Sequence, residues 1–123
     1  MAKRILVVDD EELLIRSLTR LLEKHGYEVY TTRNGTDAQV MVGEEDFDLV
    51  ICDIRMPGVN GVETVRSIQK IVRSQNKADL PVIFITGFAD ETIEEEAKKM
   101  KPLAYLYKPF EVQEILQLIR AKV

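Results

Sequence analysis

Short apolar runs alternate with amphipathic segments along the whole chain. The runs cover residues 5–8 (ILVV), 29–32 (VYTT), 49–52 (LVIC), 82–85 (VIFI) and 103–107 (LAYLY). The first, third and fourth are unbroken and rich in Val and Ile, the pattern of strands covered on both faces. The second and fifth are more mixed, which suits the edges of a sheet. Between the runs, the apolar spacing changes to a helical period. Leu14, Leu18, Leu21 and Leu22 fall at i, i+4, i+7 and i+8 and stop near Gly26. Ala38, Met41 and Val42 follow Asn34, a capping residue type. Val62, Val65, Ile68 and Val72 form a third stripe, and Val112, Ile115, Leu116 and Ile119 a fifth. The fourth begins near Asp90 and carries Ile93, Ala97 and Met100; its acids come early and its lysines late, complementing the helix dipole.

A strand–helix unit repeated five times implies an α/β fold, a (βα)5 doubly wound five-stranded parallel sheet with helices on both faces. A length of 123 residues fits one domain over 1–123 with a real core. The polar stretch Ser74–Asp79 follows a helix and precedes a strand, so it belongs on the face opposite the strand C-termini. The net charge of −4 lends no support to direct nucleic-acid binding. Cys52 is the only cysteine, which rules out an intrachain disulfide and suits a reducing compartment. The N-terminal apolar run is too short for a signal peptide, and none approaches the roughly 20 residues of a membrane helix. The expectation is a soluble, cytoplasmic domain.

In open parallel sheets, ligands bind beyond the carboxyl ends of the strands. Asp9 and Asp10 follow the first run, Asp53 the third, Thr86 and Gly87 the fourth, and Lys108 and Pro109 the fifth. Thr32 and Arg33 end the second without distinctive chemistry. Each residue has an ordinary alternative: Asp10 as a helix cap, Thr86 as a turn residue, Lys108 as a solvated charge. Together they place three carboxylates, a hydroxyl and an ammonium on one sheet edge. Close carboxylates repel one another, and a hard divalent cation such as Mg²⁺ removes that conflict. Acids, a Lys and a Thr donor make a site that expects a phosphoryl group. Asp53 is the candidate acceptor, since carboxylates form acyl phosphates. No Walker loop or dinucleotide fingerprint is present. The one histidine, His25, lies at the far end of the first helix, as a structural or solvated group.

The stretches ILVVDDEE, LVICDIRMPGVNG, VIFITG and YLYKPF, in this order and spacing, resemble a response-regulator receiver domain of two-component signalling, chemotaxis-regulator-like, over essentially the whole chain. The resemblance implies the flavodoxin-like strand order 2-1-3-4-5. It implies Asp53 as phospho-acceptor and part of a Mg²⁺ (or Mn²⁺) site, with Asp10 as the direct ligand, Asp9 acting largely through water, and the backbone carbonyl of Arg55 as a further ligand. Thr86 would swing toward the phosphoryl group and Lys108 would pair with it. Tyr105 matches an aromatic switch coupled to Thr86. Pro57 and Gly61 shape the loop after the acceptor, and the Lys108–Pro109 peptide is expected to be cis. Arg55 and Phe88 occupy positions that tune dephosphorylation; a bulky Phe88 beside a basic Arg55 restricts water and predicts slow loss.

The donor would be a histidine kinase or a histidine phosphotransfer protein. Ile15, off the apolar stripe of the first helix, and Leu14 are candidates for docking it, the alternative being Leu14 in the core and Ile15 as a stray surface residue. Output would pass to a partner protein or effector domain through the face of the fourth helix, fifth strand and fifth helix, and a phosphorylation-dependent dimer is a further implied partner. The only catalysis expected is the domain's own phosphotransfer and autodephosphorylation. A haloacid-dehalogenase-type hydrolase would need a second Asp two residues after Asp53, where Arg55 stands. A flavodoxin-like FMN module would need a Ser/Thr/Gly-rich phosphate loop in place of DDEE. A purely structural receiver-like adaptor is the third rival.

Overall fold

The structure is a computed structural model that describes residues 2–56 and 58–123. Its elements are β1 (Arg4–Val8), α1 (Glu12–Lys24), β2 (Glu28–Thr32), α2 (Gly35–Glu44), β3 (Leu49–Asp53), α3 (Gly61–Ser74), β4 (Val82–Thr86), α4 (Glu91–Lys99), β5 (Ala104–Tyr107) and α5 (Val112–Lys122). All neighbouring strands pair in parallel, in the order β2-β1-β3-β4-β5, as the alternating pattern and the resemblance led us to expect. The mixed runs β2 and β5 are the edges, and the unbroken runs are central.

Successive strand residues face opposite sides of a sheet. Ile5, Val7, Leu49, Ile51, Ile83 and Ile85 therefore form one buried layer, packed under Leu18 and Leu22 of α1 and Ile115, Leu116 and Ile119 of α5. Leu6, Val8, Val50, Cys52, Val82 and Phe84 form the other, beneath α2, α3 and α4. The chain winds first one way from β1 and then the other, so α1 and α5 share a face and the connection reverses between β1 and β3. That reversal opens a crevice at the strand C-termini.

Local signals start the helices where the pattern placed them. Asn34, Asn60 and Asp90 cap α2, α3 and α4, each side-chain oxygen accepting from the backbone N–H three residues on. Asp10 does not cap α1. Glu11 holds that position and its side chain makes no capping bond. Ile15 is not a stray surface residue: it is half-buried against the α1–α5 core, because the stripe of α1 is wider than its leucines alone suggest. Leu13, 74% exposed, is the apolar residue that leaves the stripe.

Gly61 opens α3 in a space with no room for a side chain. A Cβ there would lie 2.2 Å from the Asp53 carbonyl oxygen and 2.9 Å from the Ile54 Cα. Gly43 in α2 has nothing within 4 Å of that position. Gly61→Ala should therefore destabilise the fold by roughly 1–3 kcal/mol. Gly43→Ala should stabilise it by roughly 0.5–1 kcal/mol. Urea unfolding followed by circular dichroism reads both, and equal midpoints for the two variants would contradict the close packing at Gly61.

Candidate functional site

The strand alternation that builds the core also sorts the polar ends. Asp53 ends β3 on the same side as Leu49 and Ile51, facing the α1–α5 layer. Asp9 and Lys108, one residue beyond β1 and β5, continue the alternation to that side. Asp9 is fully buried, Asp53 is 3% exposed and Asp10 is exposed. The carboxylates of Asp9, Asp10 and Asp53 place oxygens within 4.8 Å of one another. Lys108 Nζ lies 3.1 Å from Asp9 Oδ2 and 3.4 Å from Asp53 Oδ2. The ends of β1, β3 and β5 thus meet at the crevice, as their positions in the chain suggested.

The electrostatics are those of too much negative charge in too little water. Burial, and then the charge of Asp9, push the Asp53 carboxyl up to about 6. Burial also raises Asp9, against the lowering effect of the Glu11 N–H and Lys108. For Lys108, burial opposes the ammonium, but Asp9, Asp53 and Glu11 outweigh it and raise its pKa. One ammonium does not satisfy the group. Among the described residues, Asp9 Oδ2 has no well-directed hydrogen bond, although Lys108 is close to it. Three hard oxygen donors, one of them buried and unsatisfied, fit a small divalent cation; no His or Cys ligand accompanies them among the described residues.

Glu11 joins the cluster, 3.4 Å from Lys108, with its backbone N–H donating to Asp9 Oδ1 at 2.7 Å. Its place beside Asp9 and Asp10 in DDEE was the available signal, but sequence alone does not say which way a helix-start side chain turns. Leu14, rather than Ile15, borders the site, in a cleft with Glu11, Gly87, Lys108, Pro109 and Phe110. Ile15 lines a separate groove with Val29 and Thr31.

Thr86 ends β4 on the opposite parity, facing the α2–α4 layer with Phe84. Its hydroxyl accepts from the Phe88 N–H at 3.1 Å and donates to the Phe88 carbonyl at 3.2 Å, the turn role. The Arg55 guanidinium lies over the Phe88 ring, 4.2 Å from its centroid, bringing the two rate-tuning candidates into contact. The Arg55 N–H reaches back to Asp53 Oδ1 at 3.3 Å. Tyr105 packs beside Phe84 and Tyr107, its ring centroids 6.3 and 5.5 Å away. Its hydroxyl is buried without a hydrogen-bond partner among the described residues. Burial, with Glu94 and Asp90 nearby, raises its pKa. Lys108–Pro109 is a cis peptide. Gly61 closes the loop after the acceptor, its N–H donating to the carbonyl of Ile54, the residue just past β3, at 2.8 Å. Pro57 lies outside the described residues.

A doubly wound sheet with an acid cluster at its reversal point, and a Lys and a Thr on neighbouring strand ends, defines the receiver class of signalling domain. The model of the response regulator receiver domain matches residues 5–120, and the chain belongs to that family. It is similar to the protein PilH of Pseudomonas aeruginosa, 36% identical over 96% of this chain and 95% of that one. Among solved structures it resembles a CheY-like response regulator receiver domain protein from Methanospirillum hungatei, with a TM-score of 0.89 and 28% identity over 99% of this chain and 94% of that one. It also resembles a Burkholderia pseudomallei response regulator solved with a phosphorylated aspartic acid, a calcium ion and citrate. The TM-score there is 0.80 and the identity 29%, over 93% of this chain and 64% of that one.

The charge conflict has a consequence for stability. The folded-state pKa of Asp53 is raised to about 6 from 3.8, so the folded protein binds the proton more tightly than the unfolded chain does. Metal-free stability should therefore fall as pH rises from about 4 to about 6, with the full cost present above. Asp53→Asn should raise metal-free stability at pH 7 by about 1–2 kcal/mol, an advantage that shrinks toward pH 4 and with added Mg²⁺. Thermal unfolding across pH, with and without the cation, measures this. A variant less stable than the parent at pH 7 would contradict a net repulsive pocket.

Proposed function

We propose that residues 1–123 act as one receiver domain in the cytoplasm. In this reading, Asp53 accepts a phosphoryl group from a histidine kinase or a histidine phosphotransfer protein. The observation that carries it is the meeting of Asp9, Asp10 and Asp53 within 4.8 Å beside the Lys108 ammonium. The phosphorylated aspartic acid and calcium ion of the Burkholderia relative support it. Asp9, Asp10, Asp53 and the Arg55 carbonyl would hold Mg²⁺ (or Mn²⁺). When bound, such an ion offsets charge on the transferring phosphoryl oxygens. Among the described residues, no helix is long and apolar enough to cross a membrane.

An Asp53 carboxylate oxygen attacks phosphorus, forming the P–O bond of an acyl phosphate as the donor's P–N bond breaks and its imidazole leaves. Lys108, already 3.4 Å from Asp53 Oδ2, turns from the carboxylates to a phosphoryl oxygen. Thr86 releases Phe88 and donates its hydroxyl to another oxygen. That movement takes place on the face of the sheet that carries Tyr105. The buried, unpartnered Tyr105 hydroxyl is costly by about 1–3 kcal/mol, which leaves room for a second side-chain arrangement. Thr86 and Tyr105 are then the two-state element that phosphorylation biases, with α4, β5 and α5 as the output face toward a partner, an effector domain or a second copy. Leu14, at the mouth of the site, is the better-placed apolar contact for a donor helix.

Incubation with acetyl phosphate and Mg²⁺, followed by intact mass, should add one phosphoryl group. The adduct should be absent in Asp53→Asn and in the presence of a chelator. Absence of any adduct in the parent, with acetyl phosphate or with a histidine kinase, would refute the acceptor role.

In this reading the Arg55–Phe88 stack, joined to Asp53 through the Arg55 N–H, restricts attack of water on the acyl phosphate. Phe88→Ala should shorten the life of the phosphorylated form about two- to fivefold, as expected for a contact worth ~0.5–1 kcal/mol. Phosphate release from labelled protein measures the lifetime; an unchanged rate would remove the stack from the account.

A further inference from the structure

A second concentration of charge lies away from the acid pocket. The middle and C-terminal end of α3 and the C-terminal end of α4, with the residues just after it, leave a cleft of about 350 Å³ between them. Arg66, Lys70 and Arg73 enter it from α3 at i, i+4 and i+7, and Lys99 and Lys101 from the end of α4. Both helices run toward the N-terminal ends of the strands there, so the cleft opens on the edge of the sheet opposite Asp53.

Arg73 is satisfied, since its guanidinium grips Asp79 with two bonds of 2.7 and 2.5 Å. Arg66, Lys70, Lys99 and Lys101 have no carboxylate within 4.0 Å among the described residues. Lys99 answers the negative end of the α4 dipole. Arg66 and Lys70 stand mid-helix in α3, where the dipole gives no reason for a cation. Four unpaired cations around one small cleft are out of keeping with a chain whose net charge is −4.

The floor of the cleft is held by hydrogen bonds. Gln69 is buried, its side-chain amide donating to the Leu80 carbonyl at 2.9 Å and accepting from the Leu80 N–H at 2.8 Å. Lys101 leaves α4 with a positive φ of 53°, which turns the chain sharply beside the cleft. Among the described residues, Met100 is the only one lining it with an apolar side chain. A protein partner would call for an apolar core to its contact, and a nucleic acid for a basic stripe along the surface. A compact cleft whose charged groups are cations, apart from the Asp79 carboxylate that Arg73 holds, is too small for either.

We propose that this cleft binds a small molecule bearing consecutive phosphates. Arg66 offers a planar fork for phosphate oxygens, and Lys70, Lys99 and Lys101 supply point charges around it. The ligand is either a nucleoside polyphosphate or an inorganic oligophosphate, which share the recognised group.

The full chain, ¹⁵N-labelled and free of metal, is titrated at low salt with sodium tripolyphosphate, ATP and orthophosphate while amide shifts are followed. Saturable shifts gathered around Arg66, Lys70, Lys99 and Lys101 are expected with the first two probes. Tighter binding of ATP than of tripolyphosphate assigns a nucleotide; equal or weaker binding assigns the inorganic chain. Arg66→Glu/Lys70→Glu should weaken binding by roughly tenfold or more. Both residues are exposed, and acetyl phosphate labelling of Asp53 should be unchanged in that variant, which separates this site from the phosphoacceptor reading. The proposal is overturned by non-saturating shifts spread over all surface lysines, by orthophosphate binding as tightly as tripolyphosphate, or by full binding in the double variant. Binding of an acidic peptide or a DNA oligonucleotide in place of tripolyphosphate would overturn it equally.

Discussion

Asp53 is a carboxylate almost removed from water at the end of a central strand, facing a second carboxylate, Asp9, that is fully buried. Desolvating one such charge costs several kcal/mol, and a like charge beside it adds to the cost. The fold tolerates the arrangement because β5 delivers Lys108 to the same point, and because Asp10 and Glu11 sit at the open rim. It remains an unbalanced site. The raised Asp53 carboxyl and the poorly satisfied Asp9 Oδ2 both call for more positive charge. The acid chemistry and the site's need for a cation are two aspects of one constraint.

That constraint is met on one face of the sheet, whereas Thr86 and Tyr105, the side chains that would respond to a signal, belong to the other. Asp9, Asp53 and Lys108 share the α1–α5 side, and Tyr105 shares the α4 side with Phe84. Thr86 ends the strand between them with its hydroxyl held by the Phe88 backbone. Phe88 in turn lies under the Arg55 guanidinium, two residues beyond Asp53. In the proposed function a single hydroxyl links the phosphoryl site to the output face, and moving it frees Phe88, the stacking partner of Arg55. Signal output and the lifetime of the signal are then mechanically connected through the β4–α4 loop.

The two charge clusters are segregated by the same topology. In a parallel sheet every strand C-terminus lies at one edge and every helix C-terminus at the other. Acids following strands gather at the first, and cations near helix ends gather at the second. The cleft between α3 and α4 goes beyond this general tendency only through Arg66 and Lys70, and they give it a claim to a ligand.

Much of this was legible in the chain itself. The unbroken runs ILVV, LVIC and VIFI, against the mixed VYTT and LAYLY, separated central strands from edges, because a strand covered on both faces has no polar positions to spare. Residues just beyond those runs named the pocket, because parallel strands all end on one side. What the chain did not disclose depends on side-chain direction across separate elements. Ile15 proved half-buried and Leu13 exposed, since the width of a helix stripe depends on what packs against it. Glu11 turned toward Lys108, and Asp10 was no cap. Arg55 was stacked on Phe88, and Arg66 and Lys70 were gathered with Lys99 and Lys101, only by the packing of loops and helices far apart in sequence. Periodicity and strand order are local properties that a sequence encodes directly. The meeting of charges from distant segments is set by the three-dimensional packing, and it decides which of them pair.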